Sequence, residues 1–281
     1  MSGLAGFARS QCLYHAGRAR AYAATWLDRC RDPAAAAFYS ELVARGCAPN
    51  AHIDVLPRYR IVYLCIPKCA STTIKMALSA LAGRTPASFE QVHQRRHSGL
   101  KSPFEIGLSN FRALALDRAA LRFAFVRNPY DRLVSAWADK FQNKRLVPGD
   151  DFIDKYLEYR DTKDPALPGG AGETLSFAGF VRFAAATAQA RLDPHWHCQD
   201  DMLDMPGIKL DFIGKVESFD EDFARVLEHV GAGQALRDAI GGRLNPSRHL
   251  PWRDYYRSAL ADQVYRAYER DFDRLQYPRG I

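Results

Sequence analysis

The segment Ile61-Val-Tyr-Leu-Cys-Ile-Pro-Lys-Cys-Ala-Ser-Thr-Thr-Ile-Lys75 carries the clearest structural signal in the chain. An apolar run stops at Pro67, Lys68 follows at once, and small and hydroxylated residues lead into a helical pattern. This is the order of a buried strand, a tight loop and a helix N-terminus. Backbone N–H groups converge in such a loop, and the helix dipole adds partial positive charge at the same spot. Lys68 contributes a full charge, and Ser71, Thr72 and Thr73 contribute hydroxyls, so the stretch points to a phosphate-like anion. The same pattern also describes a helix start whose hydroxyls only cap the helix. It is not a G-x-x-x-x-G-K-[ST] loop, because neither glycine is present and the lysine opens the loop. An ATPase or GTPase reading loses most of its support.

Further along, Arg122-Phe-Ala-Phe-Val-Arg-Asn-Pro-Tyr-Asp-Arg-Leu-Val-Ser-Ala-Trp137 repeats the architecture of strand, turn and helix. Pro129 suits the first helical position, where its missing N–H costs nothing. Leu133, Val134, Trp137 and Phe141 form one apolar face at helical spacing, with Ser135 well off it. Arg127 ends the strand, and the C-terminal ends of strands are where open α/β sheets bind ligands. Arg127 and Ser135 make a second anion site, so the ligand is expected to carry two anionic ends.

Two motifs and a later strand carry a resemblance. Ile66-Pro-Lys-Cys-Ala-Ser-Thr-Thr73 resembles the 5′-phosphosulfate-binding loop of the sulfotransferases. Phe125 to Trp137 resembles their 3′-phosphate motif, and Asp211-Phe-Ile-Gly-Lys-Val-Glu-Ser-Phe-Asp-Glu-Asp-Phe223 resembles a later strand–helix junction. The likeness is to the carbohydrate sulfotransferase family, which includes the chondroitin enzymes and bacterial members, and runs from about Tyr59 to Tyr277. It implies 3′-phosphoadenosine 5′-phosphosulfate (PAPS) as donor and a glycan or glycolipid hydroxyl as acceptor. Lys68, Cys69, Ala70, Ser71, Thr72 and Thr73 would hold the 5′ end, and Arg127 and Ser135 the 3′-phosphate. Lys68 would be catalytic at the leaving phosphate, with no metal. The resemblance also implies a base between the two phosphate motifs, which favours His93 or His97; His195 and His197 follow as further candidates. His195, His197 and Cys198 could ligate a metal, but a fourth ligand is not evident. The alternatives are a non-catalytic nucleotide- or glycan-binding protein of the same fold, and a nucleotide kinase. The kinase lacks its glycines and a Mg²⁺-binding carboxylate.

The expected fold class is α/β, a P-loop-like central parallel sheet flanked by helices, with a helical N-terminal appendage over residues 1–55 and the sulfotransferase domain over 56–281. Helix is expected from Gln11 to Ala44, from Thr72 to Leu81, from Ser176 to Ala190 and from Ser258 to Leu275. Capping boxes at Ser88-Phe-Glu-Gln91 and Ser218-Phe-Asp-Glu221 open two more, the first carrying His93 and His97 on one face. Residues 145–172, charged and rich in Pro and Gly, read as an insertion or mobile lid, and residues 245–253 as a polar loop beside the cleft.

The 281 residues carry a formal charge of +7, which favours anionic partners. No nucleic-acid motif is visible, so an anionic donor and peripheral contact with a membrane are expected instead of nucleic acid. The six cysteines form no C-x-x-C pair, and neither a signal peptide nor an apolar run of membrane-spanning length is visible. Animal members of the family are anchored in the Golgi; this chain reads as a cytoplasmic bacterial form.

Overall fold

The structure, a computed structural model, describes residues 30–170, 172–232 and 249–280. Among these, four strands form one sheet in the order β1 (Ile53–Leu56), β2 (Ile61–Leu64), β3 (Leu121–Val126) and β4 (Phe212–Lys215). The start of β2 meets the start of β3 through Leu121 N–H to the Arg60 carbonyl at 2.8 Å. The start of β3 meets the start of β4 through Asp211 N–H to the Arg122 carbonyl, also 2.8 Å. Start beside start is the parallel arrangement, with helices as crossovers. β1 departs from the expected all-parallel sheet: it pairs antiparallel with β2, Ile53 opposite Leu64 and Leu56 opposite Ile61. The reason is the link between them, a single turn Pro57–Tyr59 closed by Arg60 at φ 52°. A connection that short can join only antiparallel neighbours.

The chain divides into two compact units, each discontinuous in sequence. The first holds residues 1–64, 78–123 and 205–212, and the second 65–77, 124–204 and 213–281. The expected boundary at residue 55 falls inside β1, so the 30–55 segment contributes an edge strand as well as helix. The expected N-terminal helix is seen as Pro33–Ala44, with Pro33 at its first position and Asp32 accepting from Ala35 N–H at 3.0 Å; its earlier part, residues 11–29, lies outside the described residues. Ala35, Ala36, Tyr39 and Leu42 are buried, and Phe38 meets Phe111 of the Leu108–Leu116 helix at 6.0 Å.

In the second unit the core is aromatic. Trp196 is fully buried, with Phe141, Phe180 and Phe183 around it at 5.4–6.2 Å and its Nε1–H on Thr187 Oγ1 at 3.1 Å. On β4, Gly214 lies under the Phe125 ring: a Cβ there would stand 2.6 Å from Cε1 and Cζ. Phe125 is backed by Phe219 and Phe223. Gly214→Ala is therefore expected to displace the ring at the end of β3 and destabilise the fold by about 1–3 kcal/mol, the usual scale of overpacking. A urea unfolding midpoint unchanged from wild type would contradict this.

Several expected elements change shape. Residues 145–172 contain a helix, Asp151–Thr162, N-capped by Asp150 through Phe152 and Ile153 N–H. Ile153 and Tyr156 are buried, and Tyr156 and Arg160 bond the Pro168 and Gly169 carbonyls. The flanking Pro and Gly residues mark the ends of that helix instead of a lid. At Ser88 the hydroxyl accepts from Gln91 N–H, but the helix stops at Val92 and a second one runs Arg95–Ser98. His93 and His97 thus share no helix face. At Ser218 the expected box is replaced: its hydroxyl donates to Asp222, which also accepts from Lys215 N–H. The last helix breaks at Tyr268 into Ser258–Ala267 and Glu269–Leu275. Residues 245–248 of the polar loop lie outside the described residues. No helix among the described residues is long and apolar enough to cross a membrane.

Candidate active site

The loop after β2 turns without glycine. Lys68 and Ala70 both take left-handed backbone, φ 68° and 58°, at about 1–2 kcal/mol each for residues with a Cβ. Such conformations persist only where surrounding structure imposes them, and they cluster at ligand clamps. Here the imposition is visible. Arg132, 1% exposed, donates Nε–H to the Pro67 carbonyl at 3.1 Å and its other nitrogens to the His197 and Pro194 carbonyls at 2.6 and 2.7 Å. Arg127 Nη1 reaches the Lys68 carbonyl at 3.3 Å. Because a trans peptide sets C=O and N–H on opposite sides, fixing the Pro67 carbonyl on Arg132 aims the Lys68 N–H the other way. The helix Ser71–Leu81 then begins, and the first N–H groups of any helix lack partners within it. The left-handed turn therefore runs directly into a helix N-terminus, a backbone arrangement whose N–H groups and dipole attract anions.

Cys69 plays an inner part. It is fully buried, its thiol donates to Gln199 Oε1 at 3.3 Å, and its N–H closes the turn on the Ile66 carbonyl at 3.3 Å. Burial pushes its thiol up to about 12, so it stays a neutral packing group. Ala70, Ser71 and Thr72 are partly exposed, and Thr73 is buried.

The helix Pro129–Lys140 carries three residues at i, i+4 spacing on one face, Asp131, Ser135 and Asp139. Asp131 accepts from Arg127 Nε at 2.7 Å, Ser135 is buried, and Asp139 pairs with Lys68 Nζ at 3.1 Å and Lys140 Nζ at 3.0 Å. Burial lowers the Lys68 ammonium, against the pull of Asp139. Burial also works against ionised Asp139, yet Lys68 and Lys140 bring it down to about 2. Arg127 is 3% exposed, and its peptide is clamped on both sides by Gln199, which accepts from the N–H and donates to the C=O, each at 2.9 Å. Gln199 and Asp200 N–H are in turn held by buried Asp271, and Asn128 N–H by Glu217 at 2.7 Å.

The structure thus brings Lys68, the 69–73 turn, Arg127 and Ser135 into one unit. His93 and His97 belong to the other. His93 is exposed, and His97 follows Arg95, whose guanidinium grips Asp54 at 3.0 Å. His197 is spent structurally, its Nδ1 on the Ala188 carbonyl at 2.7 Å. His195 has its Nδ1 2.7 Å from Asp193 Oδ1. Burial raises the Asp193 carboxyl, but bonds from His195 and Lys155 outweigh it and bring the group to about 2. The folded value lies below the ordinary one, so this carboxylate adds stability that is complete above about pH 4 and lost as pH falls through about 2. Asp193→Asn is expected to flatten the fall of the urea midpoint between about pH 4 and pH 2; an unchanged fall would contradict it.

Arg132, Gln199, Asp271 and Glu217 escape sequence reading. Arg132 falls off the apolar face of its helix, the pattern of a solvated residue, and the Pro67 and Pro194–His197 carbonyls that take its donors come from distant segments.

Comparison with known proteins gives one family model, described as the sulfotransferase family, matching residues 51–278. Among curated proteins the chain is similar to carbohydrate sulfotransferase 12 of Mus musculus, 27% identical over 81% of this chain and 60% of that protein. It is similar to carbohydrate sulfotransferase 14 of Homo sapiens, 28% identical over 66% and 48%, and to carbohydrate sulfotransferase 11 of Danio rerio, 26% identical over 80% and 67%. The chain therefore spans about half to two thirds of the length of these relatives. No solved structure matches it.

Proposed function

The chain belongs to the sulfotransferase family, and we propose that it moves a sulfuryl group from PAPS to a hydroxyl of a carbohydrate or glycoconjugate. The observation that carries this reading is the glycine-free turn bearing Lys68, its carbonyls held by Arg127 and Arg132. The names of the relatives support a carbohydrate acceptor.

In this reading the turn amides and Lys68 face the 5′-phosphate, where charge grows as the S–O bond breaks. Arg127 and Ser135 take the 3′-phosphate and fix the donor in line with the acceptor oxygen. As in phosphoryl transfer, positioning and fixed charge supply the catalysis. The +7 charge suits an anionic donor and peripheral contact with anionic lipid, with the chain in the cytoplasm. His93 and His97 are the bases the resemblance favours.

Incubation with radiolabelled PAPS and a panel of glycans tests the reading. Label on a glycan supports it, and donor binding without transfer to any acceptor would leave only a binding protein. Asp139 competes with the donor for Lys68, so Asp139→Asn is expected to tighten binding of 3′-phosphoadenosine 5′-phosphate (PAP) by roughly two- to fivefold, the scale of an exposed ion pair. Calorimetry showing weaker binding would instead make Asp139 a positioning group for the lysine.

A further inference from the structure

We infer that His195 is the general base that takes the acceptor proton, held in its working tautomer by Asp193. The inference rests on the transferase reading above.

Asp193 is 2% exposed and accepts three times: from His195 N–H at 2.9 Å, at the ring Nδ1 at 2.7 Å, and from Lys155 Nζ at 2.8 Å. An ionised carboxylate only accepts, so the proton of the neutral ring sits on Nδ1 and the lone pair on Nε2. Among the described residues Nε2 has no hydrogen-bond partner, and the side chain keeps 23% of its surface exposed. The other histidine of this segment differs: His197 is 6% exposed, with Nδ1 on a carbonyl and Nε2 3.8 Å from Asp201.

The segment around the ring is rigid. Trp196 is sunk in the aromatic core, its carbonyl takes the Tyr268 hydroxyl at 2.5 Å, and Arg132 grips the carbonyls of Pro194 and His197. The same guanidinium holds the Pro67 carbonyl, so one buried arginine sets the distance between the leaving-group loop and the imidazole. Phe152 packs edge-on against the ring at 5.2 Å, and Lys140 lies over Phe152 at 4.3 Å.

Charge fits the role. The groups facing the ring are Asp193 and His195's cationic neighbours Lys155, Lys140 and Lys68, with Asp151 and Asp139 paired to those lysines. Burial, with smaller contributions from Lys140 and Lys68, lowers the His195 pKa against the pull of Asp193, so the ring is neutral at pH 7 and able to accept a proton. In the step, the acceptor O–H proton passes to Nε2 while its oxygen bonds to sulfur. The S–O bond to the 5′-phosphate breaks and its electron pair leaves with PAP, facing Lys68. Asp193 stabilises the imidazolium until water removes the proton.

The test compares the full chain with His195→Asn, Asp193→Asn, His93→Asn and His97→Asn, measuring PAP affinity by calorimetry, transfer kcat, and the pH profile. His195→Asn is expected to keep PAP affinity within about twofold while kcat falls roughly 10²–10⁴-fold. The acidic limb of its profile should flatten, and added imidazole should restore part of the rate. Asp193→Asn is expected to lose about 10–100-fold, and the other two variants to transfer normally. Wild-type kcat and pH profile in His195→Asn overturn the inference, as does loss of turnover in His93→Asn or His97→Asn alone. Lost PAP affinity in His195→Asn without imidazole rescue overturns it too, in favour of a structural ring. A wild type that binds PAP but transfers to no acceptor overturns the transferase reading itself.

Discussion

Lys68→Ala is expected to lower kcat by about two or more powers of ten, the scale of removing one donor aimed at developing charge. The side chain leaves the turn with only its Nζ bonded, to Asp139, whose carboxyl is half exposed. A pair open to solvent on its carboxylate side contributes little to folding, and alanine preserves the left-handed strain that Lys68 already bears at φ 68°. The urea midpoint should therefore move little while turnover collapses. Lys68→Arg should not substitute well, since a planar fork cannot take the place of a compact ammonium in a tight turn. Near-normal turnover in Lys68→Ala, measured at saturating donor and acceptor, would remove the lysine from the leaving-group role. Acceptor-independent release of sulfate separates the steps further: a loss of both reactions places the defect at the leaving phosphate, before any base is needed.

Much of this was legible along the chain, for local reasons. β2 is an unbroken apolar run ended by Pro67, β3 is apolar from Phe123 to Val126 and is ended by Asn128-Pro129, and their helices follow with the right period. Lys68 and Arg127 stand where a strand ends, a position that sequence order fixes. What failed depended on covering by distant segments. Residues 53–55 read as the tail of an appendage because pairing with β2 is not a property of either strand alone. The Asp151–Thr162 helix was hidden by its Pro- and Gly-rich flanks, although Asp150 is an ordinary cap. His93 and His97 were set on one helix by spacing, but the backbone leaves the helix at His93 and restarts after Gln94.

The charge reading has the same shape. A net +7 suggests a basic surface, yet three of the arginines are structural. Arg122 binds the Ala115 and Asp117 carbonyls and Asp211, Arg132 binds three carbonyls, and Arg127 binds one carbonyl and Asp131. Arginine's fork suits this use because it satisfies several buried acceptors with one charge. Composition counts those residues as available for partners when Arg132 has every guanidinium nitrogen on a carbonyl and Arg122 has both terminal nitrogens bonded inside. Of these three, Arg127 ends β3, where in the proposed function a carbonyl bond and a ligand bond compete.

That competition shapes the last expectation. Arg127→Ala should weaken PAP by about ten- to a hundredfold, from the loss of charge-assisted bonds worth about 1.5–3 kcal/mol. A nucleotide without the 3′-phosphate should bind almost as before. Arg127 is 3% exposed, with its Nε on Asp131 and its Nη1 on the Lys68 carbonyl, and the fork has five N–H donors, so not all are taken by these two bonds. Removing it also leaves Asp131 with His249 as a distant partner at 4.0 Å, and an uncompensated carboxylate repels the 3′-phosphate further. The double variant Arg127→Ala/Asp131→Asn separates these contributions: it should recover part of the lost affinity if repulsion matters, and none if the direct bonds are everything. Calorimetry with both nucleotides on both variants decides the role. Equal weakening of the two ligands would mean that Arg127 acts by holding the Lys68 carbonyl, and so the shape of the 5′ turn, and the 3′-phosphate would then need another cation.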